Sequence, residues 1–397
     1  MNILPLLAPL LVFGLVVFVH ELGHFLAAKA VGIYAPVFSL GWGRRVWGRR
    51  HGETDYRLSL FPLGGYVRMA SREDEAMAAF EGGGDRGTLA DEVPAPKGEP
   101  GVPWDPDALV PFGPKAVPSD RWFESKPLWA KLVVMLAGVT MNFLLAIVVL
   151  SGLRMTAGVA NPAPIVGSVL AGTPAATAGL LAGDSITAIG SMPVRVWSDL
   201  VGVTTKSAGM PLQFVVVRAG AAQTLIVTPA ATVDTNPETG AVRTIGRIGA
   251  AGSRMRLGPV KAVVQGVEGT WDTVVATIDV LGGLLAGRVS PKQLGGPLMI
   301  AQASVQTAQA GGIEAVLALL ALISVNIAVL NLLPVPVLDG GQVLLAVLES
   351  VRGRPLGERA RGVVMYAGVG LVLLLLVTTT FNDLARIGSQ LLGHFRG

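Results

Sequence analysis

Four stretches of this chain, about 3–26, 132–150, 315–333 and 363–381, are almost unbroken runs of apolar residues. Each is long enough for a helix that crosses a bilayer, which takes roughly 20 such residues. A fifth stretch, 263–285, is interrupted by Glu268, Asp272 and Asp279. Its Val263, Val267, Trp271, Val274, Ile278, Leu281 and Leu285 recur at helical spacing, which predicts an interfacial or packed amphipathic helix and not a span.

The polar stretches between the spans carry different patterns. Residues 56–60 alternate as a strand does, and Gly64-Gly65 permits a tight turn after it. From 71 to 126 an acidic part (Glu73-Asp74-Glu75) gives way to recurrent Gly and Pro, which predicts an irregular loop. The second and third spans enclose a compact segment of mixed pattern. It reads as a strand at 165–169, a turn and short helix over 171–184 and a strand at 186–189. A helix at about 196–206 follows, then strands at 212–218 and 224–228 and a short strand pair around 243–248.

Composition narrows the class. With 51% hydrophobic and 15% charged residues among 397, the chain is too apolar for an ordinary soluble protein. Its net charge of +4 has no basic stripe interleaved with aromatics, so nucleic acid is not an expected partner. There is no cysteine, which excludes disulfides and thiolate metal sites and leaves histidine and carboxylates as metal ligands. Ala28-Lys29-Ala30 resembles a signal-peptide cleavage site, but no Lys or Arg precedes the apolar run, so the first segment is read as a retained span. Lys29, Arg44, Arg45, Arg49 and Arg50 follow that span, and Arg352, Arg354, Arg359 and Arg361 fill the link before the last. The positive-inside rule puts both loops in the cytoplasm and the 154–312 segment and both termini outside.

The first span ends in His20-Glu21-Leu22-Gly23-His24. Residues four apart share a helix face, so His20 and His24 can present two imidazoles to one metal ion, with Glu21 beside it as base. Ionisable groups within a span are costly, and their presence argues for function. A catalytic zinc needs a third protein ligand. The third span runs in the same direction as the first and ends near Asp339, a carboxylate set in apolar sequence at the matching depth. Pro334 and Pro336 break the helix before it and can aim it at the metal. Asn326 and Asn331 are candidates for contact with substrate or an oxyanion, Asn331 lying nearer the break.

HELGH in the first span with NLLPVPVLDGG at the end of the third resembles the site-2 proteases, intramembrane zinc metalloproteases, and most nearly their bacterial RseP-like branch. The resemblance spans nearly the whole chain. It implies one zinc ion per chain on His20, His24 and Asp339, Glu21 as catalytic base, Asn326 and Asn331 as substrate contacts, and Gly340 and Gly341 as structural residues beside Pro334 and Pro336. Phe61 to Met69, with Gly64, Gly65 and Tyr66, is similar to the family's membrane re-entrant β-hairpin, which is thought to hold substrate in extended form. Ala137-Gly138-Val139-Thr140-Met141-Asn142-Phe143 looks like its second-span motif, with Val139 where a proline is usual. Leu294-Gly295-Gly296-Pro297 resembles the segment before the third span. The stretch AGLLAGDSITAIG resembles a PDZ domain of the permuted bacterial type; one such domain is expected, where close RseP relatives carry two.

The expectation is therefore an α-helical polytopic membrane protein with four transmembrane helices, a re-entrant β-hairpin and one inserted extracytoplasmic α+β PDZ domain. Its partition is a first helix over 1–30; a cytoplasmic loop over 31–127, with the hairpin at about 54–70; a second helix over 128–153; the PDZ domain over 163–232; and strands and amphipathic helices over 233–312. The third helix covers 313–341, a cytoplasmic link 342–362, the fourth helix 363–383 and a tail 384–397. The resemblance implies a bacterial inner membrane and hydrolysis of peptide bonds in or near the transmembrane segment of single-span proteins, such as pre-trimmed anti-sigma factors or remnant signal peptides. Its partners would be those substrates, a peptide ligand of the PDZ domain and the lipid bilayer. The alternative is a non-catalytic membrane scaffold or metal-binding pseudoprotease, which an intact Glu21 disfavours. A metal transporter fits less well, since the spans show no repeated half.

Overall fold

The computed structural model describes residues 3–71, 115–235, 242–290 and 295–396. The acidic stretch Glu73-Asp74-Glu75, most of the 71–126 loop and Leu294 lie outside the described residues. The chain divides into two compact units, Met1–Ser151 with Val263–Gly397, and Gly152–Ala262.

Helix α1 (Leu4–Ala30) opens the first unit. Ala8, Val12, Val16 and His20 are buried at every fourth position, so one stripe of the helix leads from apolar packing straight to the first histidine. Large apolar side chains off that stripe, such as Leu6 and Leu26, stay exposed.

Strands β1 (Val37–His51) and β2 (Thr54–Arg68) follow. The tight turn between them lies at Gly52-Glu53, not at the expected Gly64-Gly65. Val37 faces both Asp55 and Arg68, and Leu40 faces both Leu58 and Gly65. The chain therefore crosses from one flank of β1 to the other between residues 58 and 65. Gly64-Gly65 sits at the end of that crossing, where Gly64 adopts φ +117, a value that side chains with a Cβ resist. A Cβ there would also meet Trp42 Nε1 at 2.5 Å. Asp55 anchors the strands from inside: it is fully buried and accepts from Arg45 at 3.0 Å and Arg57 at 2.6 Å. Where the hairpin joins α1, Glu53 takes the charges of Lys29 and Arg121. Burial works against its ionisation, yet these two cations hold its carboxyl below the usual range.

Helix α2 (Leu128–Thr156) is the second long apolar helix. Gly23 of α1 lets it approach, since a Cβ on Gly23 would come within 2.5 Å of the Ala137 carbonyl oxygen.

The second unit contains β3 (Val159–Ala160), β4 (Val166–Val169), α3 (Pro174–Thr177), β5 (Ser185–Ile189), β6 (Met192–Pro193) and α4 (Trp197–Lys206). It continues with β7 (Leu212–Arg218), β8 (Ala221–Val227), β9 (Ala230–Thr235), β10 (Val242–Arg247), β11 (Ala250–Gly252) and β12 (Arg254–Met255). A sheet ordered β6-β5-β7-β8 supports a core of Val166, Leu180, Ile186, Leu200, Phe214, Val216 and Val227. Ile186 and Ile189 both point inward although three apart, because the β5–β7 register shifts between Ile186 and Ala188. On α4, Leu200 and Thr204 bury one face, and the Asp199 carboxylate accepts from the main chain of Arg195 and Val196 at the helix start. Under the sheet, Arg218 donates twice to Asp184 at 2.7 Å, and Asp184 also accepts from Leu181 N–H at 2.9 Å.

Helix α5 (Pro259–Leu285) returns the chain to the first unit. Val274 and Leu281 pack beside Ala146, Ala321 and Val325. Gly266 lies against Ser151 and the Ile147 carbonyl, and Thr270 is buried. The larger residues expected to form the apolar face, Val263, Val267, Trp271 and Ile278, are exposed. The packed line thus combines Val274 and Leu281 of the expected face with the small residues Gly266 and Thr270, which allow close helix approach, while the rest of that face lies outside.

Helix α6 (Pro297–Asn331) is longer than the expected span and is broken at Gly312, whose φ of 60 is left-handed. Asp383 supplies its N-terminal cap, accepting from the main-chain N–H of Gly296 and Met299. Ala308, Val316, Leu320 and Ile323 pack on the buried stripe of α1. Helices α7 (Asp339–Arg352) and α8 (Glu358–Arg396) complete the fold. Among the described residues, four helices are long and apolar enough to cross a membrane, at Leu4–Ala30, Leu128–Thr156, Pro297–Asn331 and Arg359–Gly388, and α5 is not among them. In the last, only 6% of the apolar window is buried within the chain, so an apolar surrounding has to cover the rest.

Candidate active site

The apolar stripe of α1 ends on His20 and His24, whose rings stand 4.7 Å apart with Nε2 atoms separated by 3.1 Å. Asp339 reaches them from the first turn of α7, Oδ2 lying 3.2 Å from His20 Nε2 and Oδ1 3.5 Å from His24 Nε2. The break between α6 and α7 makes this approach possible. It contains Pro334 and Pro336, neither of which has an N–H to continue the helix, and Gln342 Nε2 closes it by donating to the Pro336 carbonyl at 2.9 Å. Gly340 and Gly341 seat the first turn of α7 directly on this segment. A Cβ on either would run into the main chain of Leu332 or Val335.

One ligand atom from each of His20, His24 and Asp339 lies within 4.8 Å of the others. Asp339 Oδ2 is buried with no hydrogen-bond partner among the described residues. An orphaned buried carboxylate oxygen facing two imidazole nitrogens is satisfied by a divalent cation, and a set of nitrogen and oxygen donors suits zinc. The helix beside them makes room. Gly138 of α2 faces the pair, and a Cβ there would meet His24 Nε2 and lie 2.7 Å from His20 Cε1.

Glu21 lines the same cavity, about 340 Å³ in volume, with Val67, Met69, Asn331 and Gln342. Strand β2 runs beside it: the Val67 main chain is hydrogen-bonded to Glu21, and a Cβ on Gly65 would lie 3.3 Å from Glu21 Cγ. Tyr66 packs toward Trp42, with ring centroids 5.6 Å apart. The expected asparagines part company. Asn331 comes to the cluster, its Nδ2 3.2 Å from His20 Nε2, whereas Asn326 is turned to α5 and accepts from Thr277 Oγ1 at 2.7 Å.

Sequence reasoning assigned no role to three further groups. The Val134 carbonyl lies 2.8 Å from His24 Nδ1, Gly138 meets both histidines, and the Asn142 side chain stands 3.3 Å from His20 Nδ1. Gly138 and Asn142 both lie in the stretch that resembles the family's second-span motif, and Asn142 is also an amide set in an apolar helix.

The family description "Peptidase family M50" matches residues 8–375. "Zinc metalloprotease RasP" of Bacillus licheniformis is 32% identical, covering 96% of this chain and 99% of its own. "Regulator of sigma-W protease RasP" of Bacillus subtilis is 31% identical over 96% of this chain and 98% of its own. "Metalloprotease MmpA" of Caulobacter vibrioides is 32% identical over 97% of this chain and 96% of its own. A match of this extent, carried by a chain with four membrane-length apolar helices, means that the protein belongs to peptidase family M50, the membrane-embedded zinc metalloproteases of the site-2 type.

Proposed function

We propose that this chain is an intramembrane endopeptidase that hydrolyses a peptide bond in or near the transmembrane segment of single-span membrane proteins. The observation that carries the reading is strand β2 running beside Glu21, at the point where two histidines from α1 and a carboxylate from α7 converge. A transmembrane substrate hides its peptide bonds inside a helix, and pairing with a strand edge is a direct way to expose one. Gly65, Tyr66 and Val67 provide such a strand, and Gly64 gives it the bend that brings it there.

His20, His24 and Asp339 would hold zinc, which when bound supplies a Lewis acid that acidifies water and polarises the scissile carbonyl. Glu21 takes a proton from the attacking water and later delivers it to the leaving amine. Asn331 Nδ2 is the donor at the cluster able to meet a developing oxyanion or a substrate carbonyl. Asn326, tied to Thr277, acts in helix packing.

The basic residues flanking the helices support a topology with the reacting end toward the cytoplasm, and the termini and the Gly152–Ala262 unit outside, in a bacterial inner membrane. We assign that unit as a single PDZ-type domain that takes an extended peptide, on the strength of its AGLLAGD turn and the sheet that follows. One relative carries the name "Regulator of sigma-W protease", which supports substrates that control a sigma factor, and remnant signal peptides share the same single-span form.

The test is cleavage of tagged single-span reporters by the purified protein in liposomes, with the bond mapped by mass spectrometry. A cut inside or at the edge of the apolar segment, abolished by a chelator, is expected. Cuts confined to soluble flanks would reject the intramembrane reading.

A further inference from the structure

We propose that Asn142 is a positioning residue for the metal site: its side-chain oxygen accepts the Nδ1 proton of His20 and so turns the Nε2 lone pair toward His24 and Asp339. The inference rests on the reading that these three residues hold the metal.

The two histidines differ in what stands behind them. His24 Nδ1 lies 2.8 Å from the Val134 carbonyl oxygen, which can only accept, so this nitrogen carries the proton and His24 Nε2 is left with its lone pair. His20 must offer Nε2 in the same form if both are to bind one cation, and its proton must then sit on Nδ1 with an acceptor behind it. The group at that position is the Asn142 amide, 3.3 Å away and fully buried. With the amide nitrogen toward His20, Asn142 Oδ1 is buried without a partner among the described residues, and the imidazole proton is forced onto Nε2, aimed at the cation. Half a turn about the last side-chain torsion exchanges oxygen and nitrogen, whose placement in an amide is settled by the hydrogen bonds they make. The exchange gives the oxygen a donor and frees His20 Nε2, and it moves the amide nitrogen to the position that the oxygen held.

The local fold is suited to this duty. Asn142 stands one turn after Gly138 on α2, so the residue that admits the histidines and the residue that orients one of them share a helix face. Ser324 Oγ of α6 donates to the Asn142 main-chain oxygen at 2.8 Å, a contact that does not involve the side-chain amide.

The experiment measures zinc affinity of the full chain in detergent by competition with a chromophoric chelator. The visible spectrum of the cobalt-loaded protein is read alongside. Asn142→Asp, which can only accept, is expected to keep zinc affinity at or above wild type with a wild-type cobalt spectrum. Asn142→Leu is expected to weaken zinc binding by about 10–100-fold and to alter the spectrum. Ser324→Ala, which loosens the same helix contact and leaves the amide alone, is expected to change neither. If Asn142→Asp binds zinc as weakly as Asn142→Leu, or Asn142→Leu binds like wild type, the proposal is overturned. Should Asn142→Leu fail to fold, the Asp variant decides alone, since weakened affinity there is sufficient to reject it. A wild-type chain that binds no zinc would overturn the metal reading itself along with the proposal.

Discussion

Gly138→Ala adds one methyl group at the point where α2 faces both histidines. The added carbon would lie 2.7 Å from His20 Cε1 and 2.8 Å from His20 Nε2, and nearer still to His24 Nε2. An ordinary contact is about 3.5 Å, so these atoms must move by roughly 0.8 Å. The neighbours cannot yield freely, because His24 is held by the Val134 carbonyl and α1 is packed along its whole buried stripe. A misplacement of roughly 1 Å at reacting groups costs on the order of 100-fold in rate. Forcing a methyl into a packed interior costs about 1–3 kcal/mol of stability. The expected outcome is a kcat/KM about 100-fold below wild type, with weakened zinc retention, in a protein that still inserts and folds. Gly152→Ala provides the comparison on the same helix, since a Cβ there meets nothing within 4 Å. It is expected to keep full activity and to gain up to about 1 kcal/mol from helix propensity. The assay is reporter cleavage in liposomes beside zinc content by atomic absorption. Wild-type zinc content and turnover in Gly138→Ala would refute the close packing of α2 on His20 and His24.

Other consequences are open to measurement. Gly65→Val places branched carbon where a Cβ already meets the Ser39 carbonyl at 2.7 Å and Glu21 Cγ at 3.3 Å; cleavage is expected to fall at least 10-fold while zinc content is unchanged. Phe214→Ala empties the fully buried centre of the second unit and should destabilise that unit by about 3–5 kcal/mol, read by hydrogen exchange over residues 166–227 of the intact protein. The Arg218 guanidinium holds the Asp184 carboxyl below its ordinary value despite burial. Because the folded form releases the proton more readily than the unfolded one, this contribution is complete above about pH 4 and is lost as pH falls through the depressed value. Exchange protection of the second unit should therefore drop on acidification in wild type and show a smaller drop in Asp184→Asn, which starts lower.

Much of the site was legible because its parts obey short-range rules. His20 and His24 share a face by helical spacing, and Asp339 lies where two helices running in one direction would end together. The four long helices were legible from apolar length alone, and the strands and helix of the second unit fall close to their expected positions. What escaped depends on contacts distant in sequence. Gly64-Gly65 reads locally as a turn, yet β2 spends it on a crossing dictated by pairing to residues 37–40. The face that α5 buries is set by how closely Gly266 can approach α2, so the more conspicuous stripe of Val and Trp is left outside. The contacts of Asn142 and Asn326 are with partners 122 and 49 residues away, so spacing along the chain does not reveal them.

The central claim is that Glu21 is the base of a metal-dependent peptidase, and it is tested most directly by Glu21→Gln. Wild type, the variant and chelator-treated wild type are compared on one single-span reporter in liposomes, with zinc content determined for each. Cleavage by untreated wild type alone is expected, with the variant inert and still loaded with zinc. Equal cleavage by the variant and wild type would contradict the claim.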